Sequence, residues 1–209
     1  MIHLRVKPSD FAEADLAPAV AALQRGGVVA FPTETFYGLA VDPRSAAGVA
    51  KIFELKRRGP DQRLPLIASD VNQVADHVGM LTPLAARLAS RGWPGPLTLI
   101  IPASRRLCDA VHLSTGKVAV RVPSDAVARA LAARAGHAIT STSANISGDP
   151  PAATPEQVLM SFASGIDVLI DTGHTPAGLP STIVDATGDV PVLVRAGAIP
   201  WDRVLEFSR

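Results

Sequence analysis

Residues 181–195 read STIVDATGDVPVLVR. Two runs rich in β-branched and aliphatic side chains, STIVD (181–185) and VLVR (192–195), are separated by ATGDVP, a hairpin-like gap. Strands joined so closely pair antiparallel, because a parallel pair needs a long crossover. Further upstream, similar runs alternate with helical patterns, which favours parallel pairing through crossovers. The two signals together predict an α/β fold with a twisted mixed β-sheet flanked by helices.

The other β-rich runs are VVAF (28–31), LPLIA (64–68), LTLII (97–101), VAVRV (118–122), AITST (138–142) and VLID (168–171). Each is four or five residues long and bounded by turn formers. Leu16, Val20 and Leu23 fall at helical spacing before Gly26-Gly27. Further helices are expected at about 45–55, 82–91 and 125–135. Thr154-Pro155-Glu156-Gln157 predicts another helix start, with an N-cap, proline at the first position and glutamine at the third. No internal repeat, linker tract or charge block divides the chain, so residues 1–209 are expected to form one domain.

Composition narrows the function classes. The 209 residues are 47% hydrophobic and 19% charged, ample for a buried core. A net charge of +1 and 4% aromatic content argue against a protein living on bulk nucleic-acid electrostatics, although a local basic patch is compatible with both. One cysteine, Cys108, excludes an internal disulfide and a zinc site built on several thiolates. Cys108 and His112, four apart, would share a helix face and read as packing or surface residues. The N-terminus MIHLRVKPSD has no apolar stretch of signal-peptide length, and no run reaches the roughly 18–20 apolar residues of a membrane span. A soluble cytoplasmic protein is expected.

Several segments carry possible chemistry. ITSTSANISG (139–148) crowds hydroxyls and an amide at a strand end. Such residues bond their own backbone in turns, or they rim a ligand without filling its pocket. FPTETFYGLAVDP (31–43) leaves a strand at Pro32 and describes a shaped loop. Lys56, Arg57, Arg58 and Arg63 put four cations in eight residues at a helix end. Dipole complementation explains one or two of them, but not Arg63 beyond Gly59-Pro60. Arg121 and Arg195 lie in strands among valines. Facing inward they need an anionic partner, either a structural carboxylate or a bound polyphosphate. No P-loop, no dinucleotide fingerprint, no Ser-His-Asp set and no H-E-x-x-H is present. An enzyme built from these residues would work by positioning and cationic stabilisation.

Seven segments in order, PTETFYGL (32–39), KRR (56–58), WPGPLTL (93–99), VAVRVPSD (118–125), STSANISG (141–148), PSTIVD (180–185) and VRAG (194–197), resemble the YrdC-like threonylcarbamoyl-AMP synthases. The resemblance runs from about residue 26 to 197. It implies an α/β domain with a deep basic cleft. The implied activity joins L-threonine, bicarbonate and ATP, with Mg²⁺, into threonylcarbamoyl-AMP and pyrophosphate. A downstream transferase complex then modifies tRNA. It further implies that Lys56, Arg58 and Arg63 line the triphosphate path, with Lys56 and Arg58 catalytic. Ser143, Asn145, Arg195 and Lys117 would also contact the nucleotide, and Thr35, Ser69, Arg121, Ser141 and Ser181 would hold threonine, Arg121 on its carboxylate. No protein-borne metal site and no tightly bound organic cofactor is implied.

Three features depart from the family pattern. Gly59 is an extra residue in the basic segment, which shifts the register of Arg63 by one. Ser69 stands where many members have histidine. Longer members carry a second C-terminal domain, so a lid role is absent here or falls to the loop at 172–181. Glu34 is the carboxylate nearest the threonine candidates, either an outward loop charge or part of the site. Two alternatives keep the fold: a carbamoyl-adenylate-forming enzyme with another acceptor, and a module whose basic cleft grips tRNA or double-stranded RNA.

Overall fold

The computed structural model describes all residues except 58, 60–63, 113–115 and 163. Its described strands form two mixed sheets. The first contains β1 (Ile2–Arg5), β2 (Val29–Phe31), β3 (Gly38–Ala40), β8 (Thr142–Ser143) and β9 (Val168–Asp171), in the order β1-β9-β2-β3-β8. The second contains β4 (Leu66–Ile67), β5 (Leu97–Pro102), β6 (Lys117–Arg121), β7 (Ile139–Thr140), β10 (Thr182–Asp185) and β11 (Val192–Arg195), in the order β11-β10-β5-β6-β4-β7. The 181–195 segment forms the expected antiparallel pair, β10 with β11, and β10 runs parallel to β5 on its other side.

The expected strand AITST is two strands. Ile139 and Thr140 pair with β4 in the second sheet, whereas Thr142 and Ser143 pair with β3 in the first. The chain changes sheets at Ser141, whose N–H donates to the Pro65 carbonyl (2.7 Å). Thr140 secures the corner, its hydroxyl oxygen accepting from the Val41 N–H at 2.9 Å. The hydroxyl-rich stretch is therefore a hinge between sheets.

Strand β2 shows how sequence becomes core. Val28 and Ala30 enter one apolar cluster, Val29 and Phe31 the other, and all four are fully buried. A strand buried on both faces is uniformly apolar, with no alternation. Helices α1 (Ala17–Gln24) and α5 (Ala126–Ala135) cover one cluster. Helices α2 (Ala46–Leu55), α4 (Pro83–Gly92) and α6 (Pro155–Phe162) contribute to the other. A short helix α3 (Val71–Gln73) runs into a π turn at Val74–Val78.

The helices begin where the sequence patterns put them. Ser45, Thr82 and Asp125 side chains accept from the first-turn N–H groups of α2, α4 and α5. Gln157 Oε1 accepts from the Thr154 N–H while Thr154 Oγ1 accepts from the Gln157 N–H, the reciprocal box expected for α6. Strand β1 and helix α7 (Trp201–Ser208) were outside the sequence expectation. Cys108 and His112 share no helix: the chain turns here, Cys108 N–H reaching back to the Pro43 carbonyl. Cys108 packs against the core, and His112 lies 3.5 Å from Asp109. No helix among the described residues is long and apolar enough to cross a membrane.

Candidate active site

A cavity of about 720 Å³ opens between the two sheets at the Ser141 corner. Of the residues singled out in the sequence, Thr35, Arg121, Ser141, Ser143, Asn145, Ser181 and Arg195 line it. They come from five separate parts of the chain, brought to one cavity by the sheet order. Arg121 ends β6 opposite Ile67, Ser181 precedes β10, and Arg195 ends β11.

The threonines of the 32–39 loop are locked by their own hydrogen bonds. Thr33 Oγ1 donates to the Phe36 carbonyl at 2.7 Å and lies 3.0 Å from Thr35 Oγ1. Thr33 Oγ1 also accepts from the Thr35 and Phe36 N–H groups, both at 3.2 Å. Thr35 lines the cavity from within this locked loop.

Two guanidiniums face this space. Arg121 is 7% exposed and donates from Nη1 to Glu34 Oε1 at 3.0 Å. Burial pulls its pKa down, against the opposing pull of Glu34 and Asp125. Arg195 donates from Nη2 to the Ser181 carbonyl (2.7 Å) and Ser181 Oγ (3.0 Å). Its pKa is also lowered, by burial first and then by repulsion from Arg121. Two cations held close enough to repel favour an anion between them.

Lys56 lies beneath the wall rather than on it. Nearly fully buried, its Nζ donates to the carbonyls of Ser143 (2.5 Å) and Asn145 (2.6 Å) and to Asn145 Oδ1 (3.4 Å). The Asn145 amide donates to the Ile146 and Asp149 carbonyls, and Ser143 Oγ donates to Asn145 Oδ1. The Lys56 ammonium thus fixes the 143–149 turn that presents Ser143 to the cavity.

Two candidates lie elsewhere. Lys117 pairs with Asp185 at 2.8 Å and is not among the lining residues. Ser69 borders a separate shallow depression with Phe11, Ala126 and Arg129, and its hydroxyl donates to Asp70. Arg58 and Arg63 lie outside the described residues. Sequence reasoning did not single out Thr98, whose hydroxyl meets Ser181 Oγ at 2.8 Å, or Asp149 on the rim. A polar residue alternating with leucines in LTLII was the available signal for Thr98. Among the described residues no group of three or more His, Cys, Asp or Glu could hold a metal ion.

A family model described as telomere recombination, covering Sua5, YciO and YrdC, matches residues 21–197. The chain belongs to the Sua5/YciO/YrdC family. This Sua5/YciO/YrdC protein is 37% identical over 190 residues to the threonylcarbamoyl-AMP synthase of Bacillus subtilis (strain 168), covering 90% of this chain and 55% of that one. It is 41% identical over 171 residues to the threonylcarbamoyl-AMP synthase of Thiobacillus denitrificans, covering 81% of this chain and 90% of the relative. In structure it is similar to Pyrococcus abyssi Sua5 complexed with L-threonine, with a TM-score of 0.91, 34% identity, and coverage of 99% of this chain and 60% of the other. The chain thus spans little more than half the length of the Bacillus and Pyrococcus proteins.

Proposed function

We propose that this protein is an L-threonylcarbamoyladenylate synthase, converting L-threonine, bicarbonate and ATP to threonylcarbamoyl-AMP and pyrophosphate. The observation that carries this reading is the pair of guanidiniums, Arg121 and Arg195, in one cavity with the hydroxyls of Thr35, Thr98, Ser141, Ser143 and Ser181 set among apolar side chains. Similarity to synthases named for this product, and to a Sua5 that binds L-threonine, supports it. The cavity is read as the deep basic cleft of the fold, and its volume lies within the range of ligand sites, roughly 300–1,000 Å³.

The chemistry suits these groups. The threonine amine and carbon dioxide form a carbamate, short-lived in water, so the reaction needs a shielded pocket. A carbamate oxygen attacks the α-phosphorus of ATP and displaces pyrophosphate. Negative charge grows on the leaving group, where guanidiniums aimed at its oxygens lower the barrier. Arg121 takes the threonine carboxylate, while Thr35 Oγ1 accepts from the substrate amine or hydroxyl. Requiring a hydrogen bond to that hydroxyl discriminates strongly against analogues lacking it. Arg195, Ser143 and Asn145 face the nucleotide, together with Arg58 and Arg63 from the basic segment, while Lys56 holds the turn that presents Ser143 and Asn145. Mg²⁺ enters with ATP as part of the substrate, and such an ion commonly takes only one or two protein carboxylates. The product would pass to a downstream transferase complex acting on tRNA.

The test is pyrophosphate release with ATP, Mg²⁺, bicarbonate and L-threonine, with single-component dropouts and an Arg58→Ala control. Release that needs both threonine and bicarbonate, and that the control loses, is expected. Release indifferent to threonine would instead indicate a carbamoyl-adenylate former. No release under any condition would overturn the enzymatic reading and favour RNA binding, whose affinity should fall steeply with salt.

A further inference from the structure

Glu34 stands between two cavity-lining threonines, but its own side chain is not part of the lining. It reaches Arg121 from outside that lining, and both side chains are nearly buried, 14% and 8% exposed. Among the described residues, Glu34 is the one hydrogen-bond partner of the Arg121 side chain. The contact is made at a single point, Oε1 to Nη1, and Glu34 Oε2 is buried with no hydrogen-bond partner.

This is poor design for a pair that serves stability alone. A stabilising buried carboxylate engages guanidinium in a two-pronged grip and satisfies both oxygens, because an orphaned buried acceptor is costly. A one-point contact does something else. It holds the guanidinium at one corner and leaves the other N–H donors of the fork open to the cavity. Arg195 lines the same cavity, and a tether on Arg121 opposes the repulsion between the two cations.

We propose that Glu34 is a positioning residue that aims the Arg121 guanidinium into the cavity, and so sets the affinity for the carboxylate of the amino-acid substrate. This rests on the reading of the cavity as the threonine site. Glu34 acts through Arg121 and touches no reacting atom.

The test compares Glu34→Ala and Glu34→Gln with the unaltered protein. Gln keeps an acceptor oxygen for Nη1, whereas Ala removes it. The expected result is a KM for threonine raised about tenfold or more in the Ala variant, with the KM for ATP within about twofold and most of the loss recovered by Gln. Inhibition by L-threoninol, which lacks the carboxylate, should be unaffected by either substitution. Equal rises in both KM values, an unchanged threonine KM, or a Gln variant no better than Ala would each overturn the proposal. Should the Ala variant not fold, Glu34→Asp, one methylene too short to reach, replaces it with the same selective rise expected. If the unaltered protein shows no threonine-dependent release, the functional reading has failed. Nitrogen NMR of the Arg121 guanidinium in the empty protein then decides the positioning role: hindered rotation that Glu34→Ala frees supports it, and an unchanged signal overturns it.

Discussion

Lys56 ends α2 as a helix-terminal cation would, yet its ammonium turns inward to carbonyl oxygens of the 143–145 segment. Dipole complementation at a helix end is worth roughly 0.3–1 kcal/mol, too little to draw a lysine out of water. The ammonium stays buried because several oxygens replace its hydration. Lys56→Met keeps the length and removes the donors, leaving the Ser143 and Asn145 carbonyls short of a partner. A loss of roughly 2–4 kcal/mol in urea unfolding is expected, since each buried acceptor left unsatisfied costs about 1–3 kcal/mol. The sequence made this lysine a site candidate by its place in KRR, but the direction of its side chain was not legible. Its partners lie 87 and 89 positions away.

Elements were largely legible, because helix starts and turn punctuation act within four residues. Thr154-Pro155-Glu156-Gln157 is the clearest case, and its reciprocal bonds form as expected. The closing VRAG shows where local reading stops. Arg195 belongs to β11, but the need for Gly197 comes from another segment. A Cβ there would lie 2.3 Å from the Pro180 carbonyl oxygen and 2.5 Å from the Ser181 carbonyl carbon. That close approach seats β11 against the start of β10, where Ser181 and Arg195 meet the cavity. Gly197→Ala must push the two apart. The expected cost is about 1–3 kcal/mol, as for other overpacked sites, with a raised threonine KM because Ser181 moves. Unfolding and pyrophosphate-release kinetics on the same preparation would check both.

At the scale of the whole molecule, stability depends on pH through buried titratable groups. His137, just before β7, is buried, and its Nδ1 donates to the Ala138 carbonyl at 2.8 Å. Burial pushes its pKa below the ordinary value of 6.5, against the opposing effects of that bond and of Asp42, 3.5 Å from Nε2. Above pH 6.5 the folded and unfolded chains both hold it mostly neutral. Below that, the unfolded chain takes up the proton first, so stability falls as the pH drops toward the depressed folded value. The unfolding free energy from urea titration should be lower at pH 5.5 than at 7.5, by at most about 1.4 kcal/mol per pH unit from this group. His137→Gln should flatten that part of the slope, and an equal slope in the variant would show that other groups carry it.

The sequence by itself determined the α/β alternation, the β10–β11 hairpin, the helix caps and the ordered motifs that mark the family. All of these are written in spacings of a few residues, where backbone hydrogen bonding and side-chain periodicity act directly. The tertiary structure alone decided that the hydroxyl-rich strand splits at Ser141 between two sheets, that Arg121 is held by Glu34, and that Ser69 and Lys117 stand apart from the cavity. Glu34 and Arg121 are separated by 87 positions, and no local pattern encodes their meeting. It follows from the order in which strands pair, which burial of both sheet faces sets through the whole chain at once.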